Sequence, residues 1–213
     1  ALLAAYGGNK LTEAAVSDGL KWLVKNQQKD GSWSLAGPYS DGIERGDNRE
    51  AATAMALLAF QGAGNTTEYG EHKDVVRRAW YYLLKQQDSD GCFYREGPFG
   101  HRFYTHGQAT IAICELFAMT KDPARRSEYK TSAEKAIDYC VKNQSPPGGW
   151  KYNVKNGSDL SVTGWILMGL QSARMAGLEV PTKTLAGITK YLDSIAEDGG
   201  SRYPYQRGDA PTP

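Results

Sequence analysis

The chain has 213 residues, 40% of them hydrophobic, and 25 lysines and arginines against 24 aspartates and glutamates leave a net charge of +1. This length allows one large domain or two small ones. The balanced charge and the lack of a basic run exclude the electrostatic signature of nucleic-acid or anionic-membrane binding, so we expect neither partner.

No apolar stretch approaches the roughly 20 residues of a membrane span, so we predict none in this chain. The N-terminal sequence ALLAAYGGNK lacks the charged region and cleavage site of a signal peptide. The chain begins with Ala1 and ends in GDAPTP, which suggests a fragment. Localisation therefore stays open between the cytoplasm and export.

The first recurring feature along the chain is an amphipathic helix that ends in a glutamine-containing loop. Apolar residues recur at three- and four-residue spacing in segments 16–24, 76–84 and 133–141, the pattern of a helix with one wet face. The loops QQKDGSW, QDSDGCF and QSPPGGW follow, and begin at positions 27, 87 and 144. A fourth copy begins with TLAGITKYLDSIAEDGGSRYPY.

A second and more apolar helix follows each of the first three loops. These segments read REAATAMALLAF, HGQATIAICELF and SVTGWILMGLQSA, and they align with Thr53, Thr110 and Thr163 in register. Because they are apolar almost all the way round, they must be covered on every side.

This alternation predicts an all-α fold of two layers, with the one-faced helices outside and the apolar helices inside. Curling the repeats into a ring would cover the inner layer. Small inner residues would allow close helix approach, namely Ala51, Ala54, Gly107, Ala109, Gly164 and Gly169. We predict a single domain over 1–213, with repeats at about 11–70, 71–129 and 130–181 and a partial repeat at 182–213, so that the ring is incomplete.

The loops resemble the QxxDGxW type of repeat found in the superfamily of squalene and oxidosqualene cyclases and protein prenyltransferase β subunits. Phe93 replaces the tryptophan of the second copy, and Pro147 replaces the acid of the third. The segments GGWKYN and SVTGWILMGLQSARMAGLEVP are most similar to bacterial squalene-cyclase-like repeat proteins. The matching positions are Gln27, Asp30, Gly31, Trp33, Gln87, Asp90, Gly91, Phe93, Gln144, Gly148, Gly149 and Trp150.

The resemblance implies an α/α toroid, which is a two-layer helical barrel, and a bracing role for the loop. The glutamine amide is expected to pack on the aromatic ring and to hydrogen-bond toward a neighbouring helix end. The acid and the glycine are expected to shape the turn. For the glutamines and the aromatic residues we therefore predict structural roles in preference to ligand contacts.

The acidic motifs of the superfamily's chemistry are absent from these 213 residues. Its triterpene cyclases protonate an alkene or epoxide with an acid in a DxDD motif, and neither DxDD nor a DDxxD motif for magnesium and diphosphate occurs here. Its protein prenyltransferases hold zinc with Asp, Cys and His. The candidates for zinc ligands in this chain are Cys92, Cys114 and His106. Their positions, directly after the loop glycine and inside an apolar helix, favour core packing instead. We predict no metal and no cofactor.

Polar candidates for a site cluster where the inner helices begin, and in a ring these starts converge at one end of the central cavity. Asp47, Glu50 and His106 are the candidates for catalysis, with no role assigned to any of them. Helix N-termini there could hold the acidic head of a ligand with an apolar body. The candidates for ligand binding are Arg49, Tyr104, His106, Asp159 and Trp165.

Each candidate also has a structural interpretation. Asp47 with Glu50, and Thr105 with Gln108, have the spacing of a capping box, and Asp159 or Ser158 can cap the third inner helix. Arg49 can pair with such caps at the rim. His106 is either a proton carrier or a hydrogen-bonded core residue.

Two functions stay open at this point. The first is a squalene-cyclase-like or prenyltransferase-like repeat domain that binds an apolar or isoprenoid-like ligand, or a protein partner, without cyclase chemistry. The alternative is a terpenoid cyclase or prenyltransferase-like enzyme whose acid motif lies outside this fragment. Uncovered inner surface also predicts self-association or packing on another subunit.

Overall fold

The computed structural model describes residues 7–37, 46–206 and 208. Within these residues the chain forms seven α-helices and no β-strand, which confirms the predicted all-α fold. The helices are α1 (Lys10–Asn26), α2 (Arg49–Gly62), α3 (Lys73–Gln86), α4 (Arg102–Met119), α5 (Pro123–Lys142), α6 (Leu160–Met175) and α7 (Thr182–Ile195), and a short 3-10 helix follows at Asp198–Gly200.

The three apolar helices lie side by side, and the amphipathic helices pack against them. Helix α4 is central, with α2 on one side and α6 on the other. Each later amphipathic helix packs mainly on the apolar helix that precedes it in the chain, so α3 packs on α2, α5 on α4 and α7 on α6. Closure of these helices into a toroid stays a prediction.

Two glycines set the close packing of α4 against α6. A Cβ atom on Gly107 would lie 3.1 Å from the backbone carbon of Trp165, and one on Gly169 would lie 3.1 Å from Cγ2 of Thr110. Contacts this short would push the helices apart, because packed interiors have little room for an added methyl group. Gly164 differs, since an added Cβ would meet nothing within 4 Å.

Helix α6 is less covered than its apolar sequence predicts. Met168 is 47% exposed and Met175 is 88% exposed, and Met55 on α2 is also partly exposed. Only α4 has a neighbour from the apolar layer on both sides in the described part of the chain. The predicted repeat boundary between residues 129 and 130 falls inside α5, which begins at Pro123.

The loop glutamines join each amphipathic helix to the next one. The side-chain Nε2 of Gln27 donates to the Gly31 carbonyl of its own loop and to the Val75 carbonyl of α3, both at 2.9 Å. The Gln87 amide donates to Gly91 and to Ser132 of α5, and the Gln144 amide donates to Gly148 and to Thr184 of α7. We call this pair of bonds the glutamine brace. It occurs in the same form at all three loops.

The loop glycines allow the next helix to come close. Gly31, Gly91 and Gly148 have φ of 93°, 98° and 109°, in the region that L-residues with a side chain disfavour. A Cβ on any of them would also overlap a backbone carbonyl of the next amphipathic helix, at Arg78 of α3, Lys135 of α5 or Gly187 of α7. Glycine is thus required twice, for the backbone conformation and for the contact.

The aromatic residues of the loops are buried against both layers. The Trp33 indole donates to the Leu23 carbonyl of α1 at 2.8 Å, and the Trp150 indole donates to the Cys140 carbonyl of α5 at 3.0 Å. Trp33, Trp150 and Phe93 are almost completely buried. These rings therefore fill the space between the end of one helix and the start of the next.

The acidic position of the loop is used differently from copy to copy. Asp30 accepts from the backbone and the hydroxyl of Ser32. Asp90 is exposed, and in its loop Asp88 accepts from the Cys92 backbone at 2.8 Å instead. The polar residue that stabilises the turn therefore moves by two positions between the first and second loops.

The close approach at the loop glycine predicts a substitution effect that a matched control can isolate. Gly64 also has positive φ, at 81°, but an added Cβ there meets nothing within 4 Å. Gly64→Ala should cost about 1–2 kcal/mol of unfolding free energy from the left-handed backbone alone. Gly91→Ala should cost a further ~1–3 kcal/mol, because the methyl group overpacks against Lys135. Urea denaturation of both variants checks this, and equal losses would contradict the close contact.

Candidate functional site

The sequence candidates lie in three places near the N-terminal ends of the apolar helices. Asp47, Arg49 and Glu50 line a polar cleft of about 860 Å³ between the first two repeats. His106 lies in the core, and Tyr104 lies with Asp159 at the start of α6. The residues that line the polar cleft are Asp30, Asp47, Arg49, Glu50, Tyr82, Lys85, Gln86, Arg95, Glu96 and Gly97.

The Arg49 side chain is hydrogen-bonded to residues of the first loop. Its Nη2 donates to Asp30 Oδ2 at 2.8 Å, to Ser32 Oγ at 2.6 Å and to the Gln28 side chain, and its guanidinium lies 5.6 Å from the centre of the Tyr82 ring. A guanidinium with several partners in one loop holds that loop against the start of α2. Arg49 thus has a structural use within the cleft.

The two carboxylates of the cleft differ in environment. Asp47 is exposed, and its Oδ1 accepts from the Ser34 hydroxyl and the Leu35 backbone, both at 2.9 Å. Glu50 is only 6% exposed. Burial raises the pKa of Glu50 above its ordinary value, against the opposing effects of nearby backbone N–H groups and the charge of Arg49. Of the two, Glu50 is the one whose surroundings favour the neutral acid.

The helix starts correct two of the predicted caps and confirm the third. Asn48, not Asp47, caps α2, with its side chain accepting from the Ala51 backbone at 3.0 Å. Helix α4 begins at Arg102, so Thr105 is inside the helix and accepts from the Asn48 amide. Asp159, one of the two predicted candidates, caps α6 and accepts from the Val162 backbone at 2.8 Å.

His106 is completely buried and both of its ring nitrogens are bonded. Nδ1 accepts from the Phe93 backbone at 3.3 Å, which leaves Nε2 as the protonated nitrogen that donates to the Ala136 carbonyl at 3.0 Å. Burial lowers the pKa of His106 to about 4. In this conformation the ring is neutral at neutral pH and contacts no exposed surface.

The contacts of His106 also correct the predicted alignment of the apolar helices. The Trp33 backbone donates to Thr53 Oγ1 at 3.1 Å, and the Trp150 backbone donates to Thr163 Oγ1 at 3.0 Å. The equivalent acceptor in the second repeat is His106, whereas Thr110 lies one turn further along α4. His106 therefore occupies the position of a threonine that joins the loop to the apolar helix.

Tyrosines surround the start of α6. The Tyr104 hydroxyl donates to Ser161 Oγ at 2.9 Å, and the hydroxyls of Tyr152 and Tyr205 are hydrogen-bonded to each other. The Tyr104 and Tyr152 rings are 6.4 Å apart. This arrangement links the second and third apolar helices at their N-terminal ends.

Asp159 is fully buried beside these tyrosines, and burial raises the pKa of its carboxyl. Its Oδ2 has no hydrogen-bond partner within the described ranges. Trp165 is half-buried, with its backbone against Gly107. Tyr104, Asp159 and Trp165 are thus near one another in the fold, while Arg49 lies apart in the polar cleft.

One face of α4 carries a stripe of residues that we call the inner stripe, formed by Tyr104, Gln108, Ile111 and Glu115, of which only Tyr104 is among the candidates for ligand binding from the sequence. Spacings of four, three and four residues place them on one face of the helix. They include the half-buried polar side chains of an otherwise buried apolar segment. In the sequence, the stripe is indicated by Gln108 and Glu115, two polar residues two turns apart in the apolar segment HGQATIAICELF. The spacing of Thr105 and Gln108 instead suggests a capping box.

The polar groups of the inner stripe are not fully satisfied. Gln108 Oε1 is buried and has no hydrogen-bond partner in the described structure. Burial raises the pKa of Glu115, which favours its neutral form. A buried amide oxygen without a partner costs about 1–3 kcal/mol of stability.

The potential metal ligands among the described residues do not form a cluster. No group of three or more His, Cys, Asp or Glu side chains among them could hold a metal ion. Cys92, Cys114 and Cys140 are buried free thiols. In the same part of the chain, no helix has the length and hydropathy needed to cross a membrane.

Comparison with known proteins supports a cyclase-like relationship. No family model matches the chain. A probable squalene–hopene cyclase of Sinorhizobium fredii (strain NBRC 101917 / NGR234) is 26% identical over 221 residues, which cover 92% of this chain and 31% of that protein. The chain thus spans about a third of the curated relative it matches, and the predicted squalene-cyclase-like relationship is confirmed.

Among solved structures, a polysaccharide lyase is similar in fold. It matches with a TM-score of 0.58 and 15% sequence identity, over 84% of this chain and 56% of the lyase. At this identity the likeness concerns the fold alone.

The burial of His106 predicts a pH effect on stability. The unfolded ring binds a proton near its ordinary pKa of 6.5 and the folded ring near 4, so the unfolded chain binds more protons between these values. The His106 contribution to the unfolding free energy is therefore present above pH 6.5 and is lost as the pH falls toward 4, by on the order of 3 kcal/mol. His106→Thr, which introduces the residue of the other two repeats, should lose less stability over this range in urea denaturation. Parallel pH profiles would contradict the buried neutral ring.

Proposed function

We propose that this chain is a squalene-cyclase-like repeat domain that binds an apolar or amphipathic, isoprenoid-like ligand along the inner stripe, without cyclase chemistry of its own. The observation that carries the proposal is a half-buried polar pair, Gln108 and Glu115, on an otherwise buried apolar helix. The relationship to a probable squalene–hopene cyclase supports the ligand class. The absence of DxDD and DDxxD from the 213 residues supports binding without catalysis.

The inner stripe fits a ligand with one polar end. The half-buried Gln108 side chain must turn outward for its Oε1 to accept from a ligand hydroxyl, and Tyr104 lies one turn away toward the polar helix starts. Ile111 follows on the same face, and Met168 on α6 is partly exposed. Methionine adapts its shape to apolar ligands at small energetic cost. The polar end of the ligand thus lies at Gln108, and its apolar body extends toward Glu115.

Glu115 makes this binding depend on pH. An apolar ligand body that covers the carboxyl removes it further from water, which penalises the ionised form and favours the neutral form. By linkage, the ligand binds more tightly when Glu115 is protonated. The affinity therefore falls as the pH rises through the pKa of Glu115.

Binding of farnesol, an isoprenoid alcohol, tests the proposal. We expect its affinity for the unaltered chain to fall as the pH rises through the raised pKa of Glu115, and the affinity of Glu115→Gln to be independent of pH over the same range. Glu134→Gln on the exposed face of α5 is the matched control and should retain the wild-type profile. Isothermal titration calorimetry measures all three proteins. Absence of farnesol binding, or an unchanged pH profile in Glu115→Gln, would refute the inner stripe as the site.

The alternative function is a terpenoid cyclase or related isoprenoid enzyme whose acid motif lies outside these residues. Within this chain, Glu50 is the carboxyl best placed to take part in such chemistry, because it is buried in a cleft and has a raised pKa. Incubation of the purified chain with squalene, followed by mass spectrometry of the products, tests whether this chain by itself, with Glu50 as the acid, converts squalene. We expect no conversion. Product formation that is lost in Glu50→Gln would instead establish catalysis in this chain.

A further inference from the structure

The three repeat interfaces share one geometry, which can be located by counting along the chain. The brace acceptor in α3, Val75, lies 12 residues before Gln87, and the acceptor in α5, Ser132, lies 12 residues before Gln144. The carbonyl that approaches the loop glycine lies three residues after the acceptor, at Arg78 in α3. An outer helix thus accepts the preceding loop at two fixed backbone positions.

Helix α1 has the same two positions, and both are exposed. Counting 12 residues back from Gln27 gives Ala15, and three residues further gives Asp18. The next residue of the core face, Val16, is 56% exposed, whereas its counterpart Val76 in α3 is fully buried. Helix α1 therefore presents, uncovered, the surface that α3 and α5 use to accept a loop.

A groove beside this surface lies where the pattern of the other repeats would place an apolar helix. Each of α3, α5 and α7 packs on the apolar helix that precedes it, and none precedes α1 in the described part of the chain. Between α1 and α2 lies instead a groove of about 800 Å³. Its lining is mainly apolar and consists of Thr12, Glu13, Val16, Gly19, Leu20, Leu23, Ala59, Gly62 and Ala63.

We propose that the exposed edge of α1 is an acceptor surface for a further two-helix repeat. The loop of that repeat supplies a glutamine for the Ala15 carbonyl and, four residues later, a glycine against the Asp18 carbonyl. Its apolar helix fills the groove between α1 and α2. The proposal extends an interface that the chain already forms three times, and it is independent of the ligand proposed for the inner stripe.

A second copy of the chain lacks what this surface requires. The amides of Gln27, Gln87 and Gln144 are already bonded within their own chain. The fourth loop retains a glycine with positive φ at Gly200, but Ala196 occupies the glutamine position. Without an amide donor, this loop cannot form the brace. The partner is therefore a repeat that carries its own glutamine and glycine.

A chain with one added repeat tests the acceptor surface. A copy of residues 73–119, which contains a complete loop and its apolar helix, is joined directly to residue 3. The last residue of the copy then lies 13 residues before Ala15, just as Met119 lies 13 residues before Ser132. We expect the backbone amides of α1 to exchange with deuterium at least about 10-fold more slowly than in the unaltered chain, because docking suppresses local opening.

The control is the same fusion with Gln87→Ala and Gly91→Ala in the added copy only, and α1 should then exchange nearly as fast as in the unaltered chain. Unchanged α1 exchange in the first fusion would overturn the proposal, and so would equal protection in the control. Hydrogen exchange and sedimentation velocity of the unaltered chain at several concentrations test whether a second copy of the chain occupies this edge instead. Protection of α1 that grows with self-association would mean that a second copy, and not a repeat with a brace, covers this edge.

Discussion

The glutamine brace is the interaction on which the rest of this structure depends. One amide satisfies a carbonyl of its own loop and a carbonyl of the next amphipathic helix, and the same geometry recurs at Gln27, Gln87 and Gln144. The loop glycine removes the side chain that would keep the two backbones apart. Because both acceptors are backbone atoms, the side chains of the receiving helix are free to vary. This explains how Val75, Ser132 and Thr184 fill one role.

The brace fixes the position of each amphipathic helix relative to the preceding loop, and the rest of that loop then fixes the position of the apolar helix. After the glycine, the backbone of the loop aromatic donates to Thr53, His106 or Thr163 near the start of the apolar helix. A fully buried histidine can replace threonine only if both ring nitrogens find partners, which the Phe93 backbone and the Ala136 carbonyl provide. A residue that looks catalytic in the sequence is thus part of the frame.

Most of the polar residues near the apolar helix starts are used in the same way. Arg49 holds the first loop, Asn48 and Asp159 cap helices, and Asp47 anchors the chain after Trp33. The ligand site that we propose lies further along α4, where Gln108 has an unpaired oxygen and Glu115 has a raised pKa. Side chains near a helix start can bond to backbone N–H groups that have no partner within the helix, whereas Gln108 and Glu115 lie further along α4, beyond that first turn.

The sequence by itself determined the all-α class, the alternation of amphipathic and apolar helices, the loop positions and the two candidates for the α6 cap. These features depend on spacing and composition within a few residues, which are visible without coordinates. The tertiary structure decided which groups meet: that His106 and not Thr110 aligns with Thr53, that Asn48 replaces Asp47 as the cap, and that α6 leaves Met175 in solvent. Such outcomes depend on contacts between residues far apart in the chain, where a shift of one helical turn changes every partner.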